Sequence, residues 1–324
     1  MSSEAKKNLI SVITPCYNEE LSVEECVLEV RKVLSTELPD YEYEHIFSDN
    51  SSSDQTVEIL RNHAKNDPRI KIVVNSRNVG PFRNMWNGLK CASGDIIVPM
   101  VPADLQDPPS VIPSMVKEWE AGALIVYGIR SKRIEGFVMR NIRSLYYKLI
   151  RRFSGTDIPL NSGEFLLADR RIIDSIIEID DEYPYIRGLI AQTGGKSSSV
   201  RYVWEKRNFG KSKNNFGSLI DQGLNGFIST SRIPARFIML TGILISFLAF
   251  LAAAILLLSF IINPVRPALG IPTIIISGLF LGGLQLLFLG IIGEYVLSVH
   301  SQVRKRPPMF EIERINFEQQ GIRD

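Results

Sequence analysis

The chain has 324 residues, enough for a sizeable core and, by length alone, about two domains. Its 37 Lys and Arg against 35 Asp and Glu leave a net charge of +2, so bulk electrostatics favours no particular partner and makes no case for nucleic acid. Cys16, Cys26 and Cys91 follow no metal spacing, and His45, His63 and His300 are scattered, so reduced thiols and satisfied histidines are the simplest readings.

The N-terminal stretch "MSSEAKKNLISVITP" lacks the long apolar run of a signal peptide, so it is expected to stay on the side where it is made. "LISVITPCY" is a β-branched run ended by Pro15, and residues 20–36 place Val23, Val27, Val30 and Leu34 at helical spacing. "YEHIFSDN" reads as the next strand and "DQTVEILRNHAK" as the next helix, with Asp54 as its expected N-cap. "RIKIVVN" (strand), "FRNMWNGLKCAS" (helix) and "GDIIVPMV" (strand) continue the alternation. Repeated βα units imply a mostly parallel sheet with helices on both faces, and ligands in such sheets bind beyond the carboxyl ends of the strands.

Residues 130–152 then gather Arg130, Lys132, Arg133, Arg140, Arg143, Lys148, Arg151 and Arg152 against the single acid Glu135. From 138 onward Val138, Ile142, Leu145, Leu149 and Phe153 share one helical face and Arg140, Arg143 and Arg151 another, the pattern of a basic helix at headgroup level. Generic attraction to anionic lipid explains the later basic residues equally well. Residues 215–230 carry an apolar stripe, Phe216, Leu219, Ile220, Gly223 and Phe227, expected to form an interfacial helix.

Residues 238–262 and 271–293 hold no charge, and each run exceeds the roughly 20 residues that span a bilayer as helix. Arg232 and Arg236 precede the first, Arg304, Lys305 and Arg306 follow the second, and the connector "NPVRPALG" has only Arg266. Both ends are therefore expected to face the cytoplasm. Gly278, Gly282, Gly283, Gly290 and Gly293 permit close helix packing, within the chain or in a homo-oligomer. Glu294 and Tyr295 at the boundary read as anchors or caps.

Four polar loops fall at predicted strand ends: "TPCYNEE", "SDNSSSDQT", "NSRNVG" and "PADLQDPP". Singly each has a bland reading as a helix start or a turn. Together with "YGIRSKR", "SGEFLLADRR", "RNFGKSK" and "GIIGEYV", they make the chain resemble the inverting family 2 glycosyltransferases of GT-A fold, most closely the polyprenyl-phosphate glycosyltransferases that act on bactoprenol or dolichol phosphate. The resemblance runs over nearly the whole chain.

The resemblance implies a role for each loop. The first loops would bind the nucleotide-sugar donor through Pro15, Tyr17, Glu19, Asp49, Asn50, Asn78 and Gly80, and Arg207, Ser212 and Lys213 would close over its diphosphate. Asp104 and Gln106 match the last two members of the family's Asp-x-Asp-x-Gln metal motif, whereas Pro102 replaces the first acid. Mg2+ or Mn2+ would then be held by Asp104, Gln106 and diphosphate oxygens. Arg130 and Arg133 match the arginines that hold the acceptor phosphate in the family, and Arg140 and Arg143 extend that basic surface. Asn50 and Glu164 replace the family's customary aspartates, and Asp157 is a further acid near the expected reaction centre, with a turn or cap as its equal alternative. By the same resemblance, Asp157, Glu164 and Asp104 are the candidate catalytic residues.

The resulting expectation is an α/β fold of GT-A type with a two-helix transmembrane hairpin. The expected parts are a catalytic domain over 1–214, a juxtamembrane helix over 215–235, two spans over 236–300 and a cytosolic tail over 301–324. The expected reaction moves a hexose, foremost glucose from UDP-glucose, onto a polyprenyl phosphate such as undecaprenyl phosphate at the cytosolic face of the membrane. A nucleotide-sugar-binding scaffold without turnover, and the same reaction with GDP-mannose and dolichyl phosphate, are the alternatives.

Overall fold

Alternation of apolar residues along the strands decides the architecture. In the computed structural model, which describes residues 7–131, 159, 162–179, 184–205, 241–242, 244–245, 247–248, 251, 270–303 and 310–317, the strands are β1 (Leu9–Cys16), β2 (Glu42–Asp49), β3 (Ile70–Asn75), β4 (Ile96–Val98), β5 (Ile125–Arg130), β6 (Ser162–Asp169), β7 (Ser197–Tyr202) and β8 (Glu311–Ile315). They form one sheet in the order β7-β5-β6-β4-β1-β2-β3-β8. β1, β2, β3, β4, β5 and β7 run one way, and β6 and β8 run against them.

Helices α1 (Val23–Glu37), α2 (Thr56–Asn66), α3 (Pro81–Lys90), α4 (Ile112–Glu120), α5 (Arg170–Ile177) and α6 (Ile186–Gln192) connect the strands. Successive strand residues point to opposite faces. Ile10, Val12, Phe47, Ile96 and Val98 therefore join one core with Val27 and Val30 of α1, Leu60 of α2 and Met115 of α4. Ile13, Ile46 and Ile97 join a second core with Met85, Trp86 and Leu89 of α3, Ile173 of α5 and Ile190 of α6. Both faces are covered, as the βα succession requires.

The strands and helices expected between residues 9 and 101 are found in order, with one local correction. The residue before α2 is Gln55, not Asp54, yet Asp54 still accepts from the Thr56 amide at 3.0 Å and so satisfies an unpaired donor of the first turn. Inside the sheet, His45 is fully buried against Thr14 Oγ1 (2.8 Å), and burial together with Arg31 pushes its pKa down to about 3. It is the satisfied histidine the sequence suggests.

The segment read as a C-terminal tail instead contributes β8, an edge strand antiparallel to β3. Arg61 pairs with Glu313 at 2.5 Å, and Asn316 (φ 60°) donates to the carbonyls of Ala64 (2.8 Å) and Ile70 (2.9 Å). Its charges concealed the strand, because an edge position keeps them in water.

The chain divides into two units, one of residues Met1–Leu219 with Arg306–Asp324 and the other of Ile220–Lys305. In the second, α7 (Ile271–Val303) has 33 residues, about 50 Å at 1.5 Å per residue. Ile274, Phe280, Leu286 and Leu289 are exposed along it. Counted over the described residues alone, no helix is long and apolar enough to cross a membrane, and several α7 side chains, Ile271 and Thr273 among them, lie outside that count. The two-helix hairpin is therefore not shown. Most of the first expected span and the expected helices over 138–153 and 215–230 lie outside the described residues.

Towards the amino ends of the strands, Glu44 anchors the sheet. It accepts from Ser11 Oγ (2.5 Å), Ser93 N (2.6 Å) and Lys71 Nζ (2.6 Å). Burial alone would raise the Glu44 carboxylate, but these donors outweigh it and hold it below its usual range. The folded value is the lower one, so the stabilisation is complete above about 4.3, the unfolded value, and fades as pH falls through the folded value. Replacing Lys71 by Met should cost about 2–3 kcal/mol in urea unfolding at pH 7, since one partner of a largely buried pair is left alone. The acid limb of stability should move to higher pH in the same variant.

Candidate active site

The carboxyl ends of β1, β2, β3, β4, β5 and β7 share one edge with the start of β6. Two clusters form there. In the first, Asn50 after β2 and Asn78 after β3 cross-link their loops. Asn50 Nδ2 donates to Asn78 Oδ1 (2.9 Å), which also accepts from Gly80 N (2.9 Å), while Asn50 Oδ1 accepts from Val79 N (2.8 Å). An aspartate at position 50 has no donor for Asn78, which is a physical reason for an amide there. Gly80 takes φ 87° as it leads into α3, a conformation that suits glycine.

Asp49 is buried and accepts from Ser52 N (2.9 Å). Burial raises its pKa, and the Ser52 contacts offset this only in part. The first loop is laced to the same region: Asn18 N donates to Ser52 Oγ (2.9 Å) and Glu19 N to Thr56 Oγ1 (2.8 Å). Glu19 itself accepts from Ser22 Oγ (3.1 Å) at the start of α1, Pro15 lies half-buried in β1, and Tyr17 is 36% exposed on the loop.

The second cluster resolves the "PADLQDPP" loop. Leu105 takes φ 56°, left-handed for a branched residue, and the Gln106 amide donates to Asp104 Oδ1 (3.2 Å). Asp107 turns the other way. Its carboxylate accepts from Arg130 Nη2 (2.8 Å) and Nε (3.1 Å), and from the Tyr202 hydroxyl. Arg130 Nε also donates to Tyr202 Oη at 3.2 Å. The pair is nearly dry, with side-chain exposures of 14% for Arg130 and 4% for Asp107. Burial, then the charge of Asp107, pushes the Tyr202 phenol well up, so it stays a proton donor. The Gln106 carbonyl accepts from Glu205 N (3.1 Å), a second tie to the segment after β7.

Beside it on β6, Glu164 lies 3.6 Å from Arg187 Nε, and Arg187 also donates to the Ser162 carbonyl and the Tyr185 hydroxyl. Among the described residues, Glu164 Oε2 is a buried oxygen without a hydrogen-bond partner. Arg187, Tyr202 and Trp204 were missed from sequence, since nothing in their local pattern marks them. Asp157, Arg133, Arg140, Arg143, Arg207, Ser212 and Lys213 lie outside the described residues.

Among the described residues no group of three or more His, Cys, Asp or Glu side chains is placed to hold a metal. Asp107 is committed to Arg130, so Asp104 is the carboxylate of this loop suited to a cation. The donor set fits a hard cation completed by substrate oxygens, and does not fit an all-protein cage. Burial raises all three thiols, Cys26 to about 12 and Cys91 to about 11, so none is a thiolate at neutral pH.

Residues 11–177 match the family model described as glycosyl transferase family 2. The chain belongs to that family. This glycosyltransferase is 34% identical over 301 residues to a prophage-derived bactoprenol glucosyl transferase of Shigella flexneri, covering 92% of this chain and 96% of the relative. It is 35% identical to a prophage bactoprenol glucosyl transferase homolog of Escherichia coli K12, with the same coverage of both. Among solved structures it resembles glucosyl-3-phosphoglycerate synthase of Mycobacterium tuberculosis in complex with Mn2+, UDP and phosphoglyceric acid. There the TM-score is 0.50 at 20% identity, over 69% of this chain and 78% of that one. That likeness carries the GT-A-like α/β fold and nothing further.

Removing Asp107 leaves a buried guanidinium without its counter-charge. The glycosyltransferase carrying Asp107→Ala should lose about 3–5 kcal/mol in a denaturant titration, the scale for breaking a buried pair. Asp107→Asn, which keeps an acceptor, should lose less.

Proposed function

We propose that this glycosyltransferase moves a hexose, foremost glucose from UDP-glucose, onto a polyprenyl phosphate such as undecaprenyl phosphate at the cytosolic membrane face. The observation that carries the reading is geometric: the nearly buried guanidinium of Arg130 is paired with Asp107, three residues along the loop from Asp104. A cation for an acceptor phosphate and a carboxylate for a donor's metal are thereby tied to one loop. The names of the Shigella and Escherichia relatives, matched over nearly their whole lengths, support the lipid acceptor.

Cleaving the glycosyl–phosphate bond leaves negative charge on the diphosphate, which positioned donors stabilise in a partly dry site. Asp104 and Gln106 would hold a divalent cation, which supplies positive charge to that diphosphate when bound. A phosphate monoester has its second pKa near 6, so the acceptor is largely ionised at neutral pH and needs alignment more than a strong base. Arg130 supplies the alignment, with Arg133, Arg140 and Arg143 as further basic residues downstream. Asp49, Asn50, Asn78 and Gly80 form the wall for the nucleoside, and Arg207, Ser212 and Lys213 the basic closing loop. Glu164, with a buried oxygen to spare among the described residues, is placed to accept from a sugar hydroxyl.

The uncharged runs over 238–262 and 271–293 form a membrane hairpin in this reading, with the basic flanks retained in the cytoplasm. The full-length protein in detergent, given labelled UDP-glucose, UDP-N-acetylglucosamine or GDP-mannose with a short polyprenyl phosphate, should form a lipid-linked product most rapidly from UDP-glucose, and only with Mg2+ or Mn2+. Asp104→Ala should slow transfer by about 100-fold or more, the scale of losing one positioned contact at a developing anion. Faster transfer from GDP-mannose refutes the donor assignment, and no lipid product from any donor refutes the acceptor.

A further inference from the structure

Arg130 has five N–H donors, and its surroundings use them unevenly. Asp107 and Tyr202 occupy the edge formed by Nε and Nη2. Nη1 donates to no described residue, so the end-on edge, Nη1 with the second Nη2 hydrogen, is left over. One flat face is set just as firmly. A Cβ placed on Gly163 of β6 would lie 3.1 Å from Arg130 Nη2 and 3.3 Å from its Cζ, so the bare glycine backbone is the seat on which one face rests. The Trp204 ring covers the guanidinium with its centroid 5.1 Å from Cζ. Gly163 has no left-handed backbone, and so its lack of a side chain serves the space beside it.

We infer that Gly163 and Trp204 are positioning residues for acceptor recognition: with Asp107 and Tyr202 they clamp Arg130 so that its end-on edge faces a phosphate monoester carried on a lipid. This rests on the acceptor proposed above and adds which residues orient the guanidinium towards it. A planar fork bonds two phosphate oxygens at once only when its plane and direction are right. A free arginine side chain samples many rotamers, and a site that has already removed that freedom binds the anion without the entropic cost. The Asp107 pair lowers the net charge facing the phosphate, so directed hydrogen bonds carry more of the recognition than bulk attraction. A guanidinium present only to tie three strand ends together has no need of an edge that no described residue occupies.

The test is steady-state kinetics of the full-length protein with UDP-glucose and a water-soluble short-chain polyprenyl phosphate. Gly163→Ala pushes the guanidinium by a few tenths of an ångström, and Trp204→Leu removes the ring that covers it. Each should raise the acceptor KM about three- to tenfold, the loss of part of a charge-assisted hydrogen bond, while the donor KM stays within about twofold. An unmoved acceptor KM in folded variants, or a parallel rise of both constants, overturns the inference and makes the cluster purely structural. If Gly163→Ala does not fold, Trp204→Leu decides in the same way. A wild-type protein active on the lipid phosphate with variants unchanged sinks this inference alone, whereas a wild-type protein inactive on every lipid phosphate sinks the proposed function and this inference together.

Discussion

The buried pair between Asp107 and Arg130 is the constraint on which the site depends. Three strand ends have to meet there: the loop after β4 supplies Asp107, β5 ends at Arg130, and β7 ends at Tyr202. Burying two charges costs several kcal/mol apiece, and their attraction restores this only with good geometry and extra hydrogen bonds. Both conditions are met, by a two-pronged contact and by a phenol that bridges the partners. A pair of apolar side chains would hold the strand ends together at least as well. It would not fix the direction of the Asp104 turn three residues upstream, or give a cation a single orientation.

The neighbouring cluster solves a similar problem without charge. Family resemblance leads one to expect a second acid where Asn50 stands. The structure shows why an amide serves: it donates to Asn78 and accepts from Val79, joining the loops after β2 and β3 in one exchange. A second buried carboxylate beside Asp49, whose pKa is already raised by burial, would have added like-charge repulsion. The same economy recurs under α3, where Asn84 donates to the Ser48 carbonyl (2.7 Å) and accepts from Asn75 (2.7 Å). Neutral amides, satisfied on both sides, hold the loops after β2 and β3, whereas a charged pair ties the loop after β4 to the end of β5.

Much of this was legible in the sequence, and the parts that were not share a cause. Strand alternation and helical spacing are local, so β1 to β4 and the helices between them read directly from runs such as "LISVITPCY" and "TVEILRNHAK". Loops at strand ends could be located for the same reason. The role of Asp107 in the "PADLQDPP" loop was not legible, because its partners lie 23 and 95 residues away. Arg187 reaches Glu164 across a helix and a strand, and Gly163 matters only for the guanidinium it faces. β8 was hidden most completely: its pairing partner β3 precedes it by more than two hundred residues, and its charges resemble those of a solvated tail. Local periodicity reveals elements, whereas contacts between distant segments appear only when the sheet order is known.

The position of β8 in the sheet constrains the membrane hairpin proposed above. The unit over Ile220–Lys305 departs from the catalytic unit after Leu219 and the chain re-enters that unit at Arg306. β8 then pairs with β3, and Asn316 reaches the carbonyls of Ala64 and Ile70, so the return is built into the sheet. A folded sheet lies wholly on one side of a bilayer, because its edge strands cannot be left unpaired in hydrocarbon. Any segment that leaves such a sheet and comes back to it must cross the bilayer an even number of times. If the uncharged runs cross a bilayer, as proposed above, a single crossing is incompatible with this connectivity and two crossings are compatible with it. In that reading the basic flanks at Arg232 and Arg236 and at Arg304, Lys305 and Arg306 agree, since charge retention would select the same side for both ends. Chain connectivity and charge distribution are independent arguments, and within that proposal both favour two crossings over one.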